Sequence, residues 1–550
     1  MPIDQEVAFP TLAPHDLTAL AERGRERHVH SGDVLYSVGD TTARFFVVLE
    51  GEIEAIDGDD PGAARVATIG PGQFTGEVAT LSGRAALVTV RATCDSRLIE
   101  LDGQSLIRAV DELPDVGEAV VRAFLLRRQM LIDTGTVGVQ IVGSRFSPAA
   151  HQLRDFATRN LIPFRWVDVE NDPEAEILLR RANYSPADTP VVIGKSGKHA
   201  KNPTLAQFAH CAGLTATFTD DHVYDLVVVG AGPAGLAASV YAASEGLDVM
   251  TADQLAAGGQ AGTSARIENY LGFPAGISGK ELTTNALVQA QRFGARITVP
   301  CLVRSLGLDG GDRIVTLADG TRLRTRCVLV ASGVAYRKLD VPRFADFEGA
   351  GIYYAATEME ARLCRGEEAV VVGGGNSAGQ AVVFLARASR HVHLLVRGPD
   401  LDASMSRYLI DRVQAMENVT IHLGTQVSAL EGNGRLSAVR ARDRSGRELT
   451  VETGALFLFI GADANTSWLR NCVALDKNGF VLTGPALPPG TAENERWRLA
   501  GRSPFLLETS LPGVFAAGDV RSGSVKRVAA AVGEGSQSVS FVHAHIQRPV

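Results

Sequence analysis

A chain of 550 residues, 45% of them hydrophobic and 21% charged, is too long for one hydrophobic core and divides into roughly three or four domains. Its net charge of −8, with no lysine- or arginine-rich run, excludes the footprint expected of a nucleic-acid or anionic-membrane binder. The N-terminus has no basic stretch followed by an apolar one, and the six cysteines are too widely spaced for a disulfide framework or a zinc site, so a reducing cytoplasm is the expected compartment.

The chain opens with glycine-broken short strands from His28 to about Leu101 (HSGDVLYSVGD, RFFVVLEGEIEAI, ARVATIGPGQF), the pattern of a small β-roll, and then a helical stretch from Leu106 to Leu131. Residues 1–134 form this first expected domain. Over 135–216 the pattern changes to strand, helix, strand, helix (VGVQIVGS, AAHQLRDFATRN, FRWVDVE, EAEILLRRA), then TPVVIG and an amphipathic helix, LAQFAHCAGL. That is a compact α/β unit. The polar stretch Thr217 to His222 reads as a linker.

The third region begins with the strand YDLVVVG, Tyr224 to Val229, followed by Gly230, Gly232 and Gly235 in the spacing G-x-G-x-x-G and a helix, Ala234 to Ala243. Strand, glycines and helix in that order turn backbone N–H groups and the helix dipole onto a pyrophosphate. A second strand, Leu247 to Thr251, leads to Asp253, 23 residues after Gly230, in place to accept hydrogen bonds from a ribose. The apolar run Leu226 to Ala243 holds three glycines and Pro233 and belongs to this unit, so no membrane span is expected there.

The same unit recurs in EAVVVGGGNSAGQAVVFLARASRHVHLLVR, Glu368 to Arg397, with Gly373, Gly375 and Ala378 as G-x-G-x-x-A. Here the second strand ends at Arg397, which suits a 2′-phosphate where an acid suits a free ribose. The first site is therefore expected to hold FAD and the second NADPH, with NADH open as an alternative. Near the C-terminus ETSLPGVFAAGDV puts Gly518 and Asp519 after a buried strand, Val514 to Ala517. This segment is expected to rejoin the first nucleotide unit, giving an FAD domain in two parts, 222–340 and 461–550, around an NAD(P)H domain at 341–460.

The order GAGPAG, GGQ (258–260), IENY (267–270), ASG (331–333), GGGNSA and VFAAGD resembles the low-molecular-weight thioredoxin reductases over about Tyr224 to His545. The resemblance implies that Gly230, Gly232 and Gly235 hold the FAD pyrophosphate, that Asp253 meets the adenosine ribose, and that Gly259, Gln260 and Asn269 lie on the flavin side. It implies that Gly518 and Asp519 take the ribitol or pyrophosphate, and that Gly373, Gly375, Asn376, Ser377, Ala378 and Arg397 hold the nicotinamide nucleotide. It further implies a homodimer, hydride transfer from nicotinamide to flavin, and rotation of one nucleotide domain against the other.

The family's C-x-x-C, which precedes the second glycine loop, is missing. YYAATEMEA stands there, with Ala355 and Glu358 or Ala356 and Met359 as the aligned pair, and no C-x-x-C occurs anywhere in the chain. Cys364 reads as a buried small hydrophobe. Arg407 is the candidate for a second cation beside Arg397. The middle unit resembles a glutaredoxin or thioredoxin fold that has Gly143, Ser144, Arg145, Phe146, Ser147 and Pro148 in place of its cysteine pair, and reads as a docking or spacer domain. The roll resembles a cyclic nucleotide-binding domain, with FTGEVATLSGRAALVTV for the phosphate cassette: Gly76 and Glu77 fit the ribose part, while Ala86 stands near the arginine position and Arg84 is displaced. A nucleotide-like ligand is expected in the Glu77 region.

The fold expectation is thus a multidomain chain: β-roll, thioredoxin-like α/β unit and a two-domain FAD/NAD(P) Rossmann-like region. The expected function is a flavin enzyme delivering electrons from NADPH to a small-molecule or redox-protein acceptor, with no nucleic-acid or membrane partner. The alternative is a ligand- or redox-sensing flavoprotein with slow turnover.

Overall fold

The computed structural model describes the chain except for residues 1–4, 41, 43, 59–63, 83–84, 135–137, 195–197, 213, 215–217, 219–221, 265–266, 268, 349, 355, 357–360, 362–363, 470 and 548–550. Arg84, most of the 217–222 linker and most of the YYAATEMEA segment therefore lie outside the described residues.

The roll consists of two four-stranded antiparallel sheets. One runs in the order Arg25–Val29, Ser96–Leu101, Phe45–Glu50 and Phe74–Thr75; the other Val34–Tyr36, Thr89–Ala92, Ile53–Ile56 and Arg65–Ile69. The expected single helix after it is two, Gly103–Glu112 and Pro114–Thr134. The break follows from Pro114, which disfavours helical geometry at the residue before it; Leu113 takes φ −115 and ψ 92. Leu106, Val110, Val116, Val120 and Phe124 from these helices close one side of the roll, and Val288 of the helix Gly279–Arg292 joins the same core.

In the middle unit the sheet order is Phe164–Asp168, Val139–Gly143, Val191–Ile193, His199–Lys201, the first pair parallel and the others antiparallel. The edge strand His199–Lys201 has no alternating apolar pattern and was not expected from sequence; backbone pairing alone makes it. The helix Pro148–Arg159 is capped by Ser147, whose side chain accepts from the Ala150 N–H, and buries Ala150, Leu153, Phe156 and Ala157 at helical spacing. Its two ends meet different neighbours. At the start the His151 ring lies 5.8 Å from Tyr353; at the end Asn160 Nδ2 donates to Leu255 O at 2.8 Å.

The first nucleotide unit is built on a parallel array, Arg296–Thr298, Val249–Ala252, Val223–Val229 and Arg322–Val330, extended by the antiparallel strands Asp312–Leu317 and Val303–Asp309. Val514–Ala516, from the far end of the chain, pairs in parallel with Val328–Val330, so the last segment completes this sheet. The helices Pro233–Ser244 and Val528–Ile546 pack together on one face. Between these segments lies the second unit, five parallel strands in the order Ile352–Tyr353, Leu456–Leu458, Glu368–Val372, His391–Val396, Val419–Leu423, with the antiparallel meander Gln426–Gly432, Leu436–Arg442, Glu448–Glu452. The chain crosses between the units through a two-stranded ribbon, Val334–Tyr336 against Ala462–Ala464. Among the described residues no helix is long and apolar enough to cross a membrane.

Candidate active site

Both glycine loops open onto one cleft of about 1870 Å³ between the two nucleotide units. Its walls include Gly230, Gly232, Asp253, Gly259, Gln260, Asn269, Gly518 and Asp519 on one side and Gly373, Gly375, Asn376, Ser377 and Arg397 on the other. Gly235 and Ala378 do not line it. They sit under their loops, where the third position of the motif sets how closely helix and strand pack.

At the first loop Gly230 has φ +107, and a Cβ there would lie 2.2 Å from the Ala331 carbonyl oxygen, so only glycine fits. Gly232 is the N-cap of the helix Pro233–Ser244 and carries no side-chain cap, which leaves the first N–H groups of the helix turned to the cleft. A Cβ on Gly232 would meet only Gly259 Cα, at 3.9 Å. The free space beside it is the cleft itself, as a closely approaching phosphate requires.

Asp253 ends the second strand, as its spacing predicts, and braces the loop. One oxygen accepts from Ala231 N–H at 2.8 Å, the other from Leu255 N–H at 2.8 Å and Ala256 N–H at 3.0 Å. Burial nonetheless pushes its carboxyl above the usual range, opposed by those three hydrogen bonds and by Arg159. Gln260 Nε2 donates to Val334 O at 2.9 Å, tying the GGQ turn to the ribbon between the units. Asn269 is exposed on the cleft wall. The Asp519 carboxyl is also raised by burial, with Lys526 opposing and Glu534 adding to the rise.

At the second loop Gly373 has φ +147 and would carry a Cβ 2.4 Å from Phe459 O. Asn376 Oδ1 accepts from Ser406 N–H at 2.6 Å and from Ser406 Oγ at 2.7 Å, and Ser404 Oγ donates to Gly374 O at 2.9 Å, so the loop after Arg397 is fixed to the glycine turn. Arg397 is exposed, lines the cleft and pairs with no carboxylate among the described residues. Arg407 corrects the sequence expectation. It lies outside the cleft lining, with its guanidinium on Asp411 at 3.0 Å and Asp402 at 3.7 Å, because it starts a helix whose next turn supplies an acid. Arg387, on the last turn beyond the helix Asn376–Leu385, does line the cleft; no motif marks it.

The thiols do not form a relay among the described residues: all six cysteines are free, and Cys211, Cys301, Cys327 and Cys364 are buried. Cys301 lines the cleft, but burial, together with Asp319 and Asp253, pushes its thiol up to about 12, so it stays protonated. Cys364 is fully buried and donates to Ala361 O, the small-hydrophobe role expected of it.

Residues 224–535 match the family described as pyridine nucleotide-disulphide oxidoreductase, more than half of the chain. The chain belongs to that family. Members of the pyridine nucleotide-disulphide oxidoreductases use FAD and NAD(P)H, and this one is of the thioredoxin reductase kind. It is 33% identical over 318 residues to a thioredoxin reductase of Mycolicibacterium smegmatis, covering 58% of this chain and 94% of that enzyme. It is 33% identical over 321 residues to NADPH-dependent thioredoxin reductase 3 of Arabidopsis thaliana, covering 57% of this chain and 56% of that protein, so it spans about half that relative's length. The crystal structure of T. acidophilum thioredoxin reductase superposes with a TM-score of 0.52 at 29% identity, covering 59% of this chain and 99% of that one. Residues 26–112 match the cyclic nucleotide-binding domain.

In the roll, Gly76 and Glu77 line a cavity of about 80 Å³ together with Tyr36, Val66, Ala86 and Arg127. Glu77 is buried and both of its oxygens accept from Arg127 Nη1 at 3.0 Å. Arg127 comes from the long helix Pro114–Thr134, 50 residues along the chain, and its guanidinium lies over Phe9 and Phe74. Among the described residues its buried Nη2 has no hydrogen-bond partner. The cassette sequence could not reveal it, since the cation is supplied by a distant helix.

Proposed function

We propose that the protein is an FAD-dependent NADPH oxidoreductase that passes electrons from reduced flavin directly to an acceptor, without a dithiol of its own. The observation that carries the reading is the cleft shared by both glycine loops, one with a braced carboxylate at the end of its second strand and the other with an arginine that pairs with no carboxylate among the described residues. The residues fit the cofactors. Gly232 at the uncapped helix start would receive the FAD pyrophosphate, Asp253 the adenosine ribose, and Asp519 the ribitol side; Gly375, Asn376 and Ser377 would hold the NADPH pyrophosphate, and Arg397 its 2′-phosphate. When bound, the two cofactors supply the hydride chemistry. The protein orients them and joins their two units through the ribbon Val334–Tyr336 and Ala462–Ala464; rotation of one unit against the other would set their approach.

The acceptor is a small molecule or a redox protein. The middle unit, whose four-stranded sheet carries helices on both faces, is a thioredoxin-like module without its cysteine pair; Ser147 caps a helix and Arg145 donates to Asp168 at 2.7 Å where a reactive thiol would stand. A sensing role is the second reading, favoured by the seating of the roll on the flavin unit through Val288 and the Arg292–Asp111 pair at 3.6 Å. In that reading a nucleotide-type ligand enters beside Gly76, and the buried Nη2 of Arg127 is its donor. The test is anaerobic mixing of the purified yellow protein with NADPH and with NADH, followed by a screen of acceptors. Rapid bleaching, faster with NADPH, and turnover on a non-thiol acceptor support the enzyme. No bleaching by either nucleotide overturns it.

A further inference from the structure

The helix Pro148–Arg159 of the middle unit ends against the flavin-side wall, and it brings a cation with it. Arg159 lines the cleft, with its side chain only 19% exposed, and its Nη2 donates to Gly259 O at 3.2 Å. Gly259 stands against the pyrophosphate loop: a Cβ built on it would be 3.0 Å from Gly232 Cα. The helix end is fixed there by Asn160, whose Nδ2 reaches both Phe156 O at 2.9 Å and Leu255 O at 2.8 Å, while the Leu255 side chain packs into the core of the middle unit.

A pyrophosphate at this point would bring negative charge to the first loop. Neither Gly230–Gly235 nor Gln254–Gln260 contains a lysine or arginine, so the loop offers N–H groups and a helix dipole but no full positive charge. Among the described residues Arg159 has spare donors. Its ion pair with Asp155 is loose, at 3.9 Å, and the nearby Asp253 carboxylate is already held by three backbone N–H groups. We propose that Arg159 binds the FAD pyrophosphate, so that the middle unit is a working part of the flavin site in addition to any role in docking. This rests on the reading of the first loop as the FAD site. A guanidinium in this position makes charge-assisted hydrogen bonds to phosphate oxygens. By reciprocity, FAD must then strengthen the docking of the middle unit by the factor that docking strengthens FAD.

The experiment is titration of full-length apoprotein with FAD, followed by flavin fluorescence at low and high salt, for the wild type, Arg159→Gln and Arg159→Lys. Arg159→Gln is expected to weaken FAD about 10- to 100-fold at low salt and to flatten the salt dependence, because the screened charge is gone. Arg159→Lys is expected to keep the wild-type salt response with a smaller loss. FAD affinity within about twofold of wild type in Arg159→Gln, or a loss equal at every salt concentration, overturns the proposal and reduces Arg159 to a brace for Gly259. Should Arg159→Gln not fold, Arg159→Lys decides: a flattened salt response with the charge still present also overturns it. Failure of the underlying reading looks different, since the wild type itself would then bind no FAD.

Discussion

The two nucleotide units share a strand, a glycine turn and a helix, yet the ends of their second strands are put to opposite uses. Asp253 is turned inward onto the N–H groups of Ala231, Leu255 and Ala256, and the wall beside it is closed by Arg159 and Asn160 from another unit. Arg397 is exposed, pairs with no carboxylate among the described residues, and its backbone carbonyl accepts from Arg444. A braced and covered site suits a cofactor that stays; an open site with an unpaired cation suits one that exchanges every turnover. The third motif position differs in the same sense. A Cβ on Gly235 would sit 1.9 Å from Gly230 O, whereas the second unit accommodates the real Cβ of Ala378 under Gly373.

The largest effect expected from breaking this contrast is at the second glycine of each loop. Gly232→Val fills the cleft without touching the fold, because nothing but Gly259 Cα lies near, so the protein is expected to purify folded and colourless. Gly375→Val, with only Ser404 O near at 3.7 Å, is expected to keep its flavin and lose NADPH binding. Absorbance spectra with thermal melting separate the two; a yellow Gly232→Val protein would break the assignment. Next, Arg397→Ala is expected to raise the KM for NADPH roughly 10- to 100-fold, with little change for NADH or in flavin content. Steady-state kinetics with both nucleotides read this, and equal shifts would mean that the arginine serves neither.

A smaller effect separates the third positions. Gly235→Ala should cost ~1–3 kcal/mol by forcing helix from strand, and Ala378→Gly about 0.5–1 kcal/mol from helix entropy alone, both measured by denaturant titration. The smallest is a pH effect. Burial raises the Asp519 carboxyl above its ordinary 3.8, so its contribution to stability is complete below that pH and is lost as pH rises through the higher folded value. Asp519→Asn should remove this part of the slope; a profile unchanged from wild type would show that the carboxyl is not perturbed.

The architecture of the first nucleotide unit is legible in the sequence, since glycines, strand ends and the returning strand at Val514 are local patterns with fixed spacing. The cations were harder. Arg397 follows its strand directly, whereas Arg407, a candidate by its place in the sequence, pairs with Asp402 in the turn before its helix and with Asp411 on that helix. Arg127 reaches Glu77 from a helix 50 residues along the same domain, and Arg159 reaches Gly259 from another unit; a sequence gives no measure of which helix will face which loop. Their neighbours in sequence are ordinary helical turns and carry no motif of their own.

The central claim is that flavin is the last carrier of electrons within the chain. Anaerobic titration of the wild-type protein with NADPH, followed to completion at the flavin band, tests it directly. One equivalent of NADPH per FAD, unchanged when all six cysteines are replaced by serine, is the result expected of a protein without a working dithiol. Uptake of two equivalents by the wild type, falling to one in the cysteine-free chain, would contradict it.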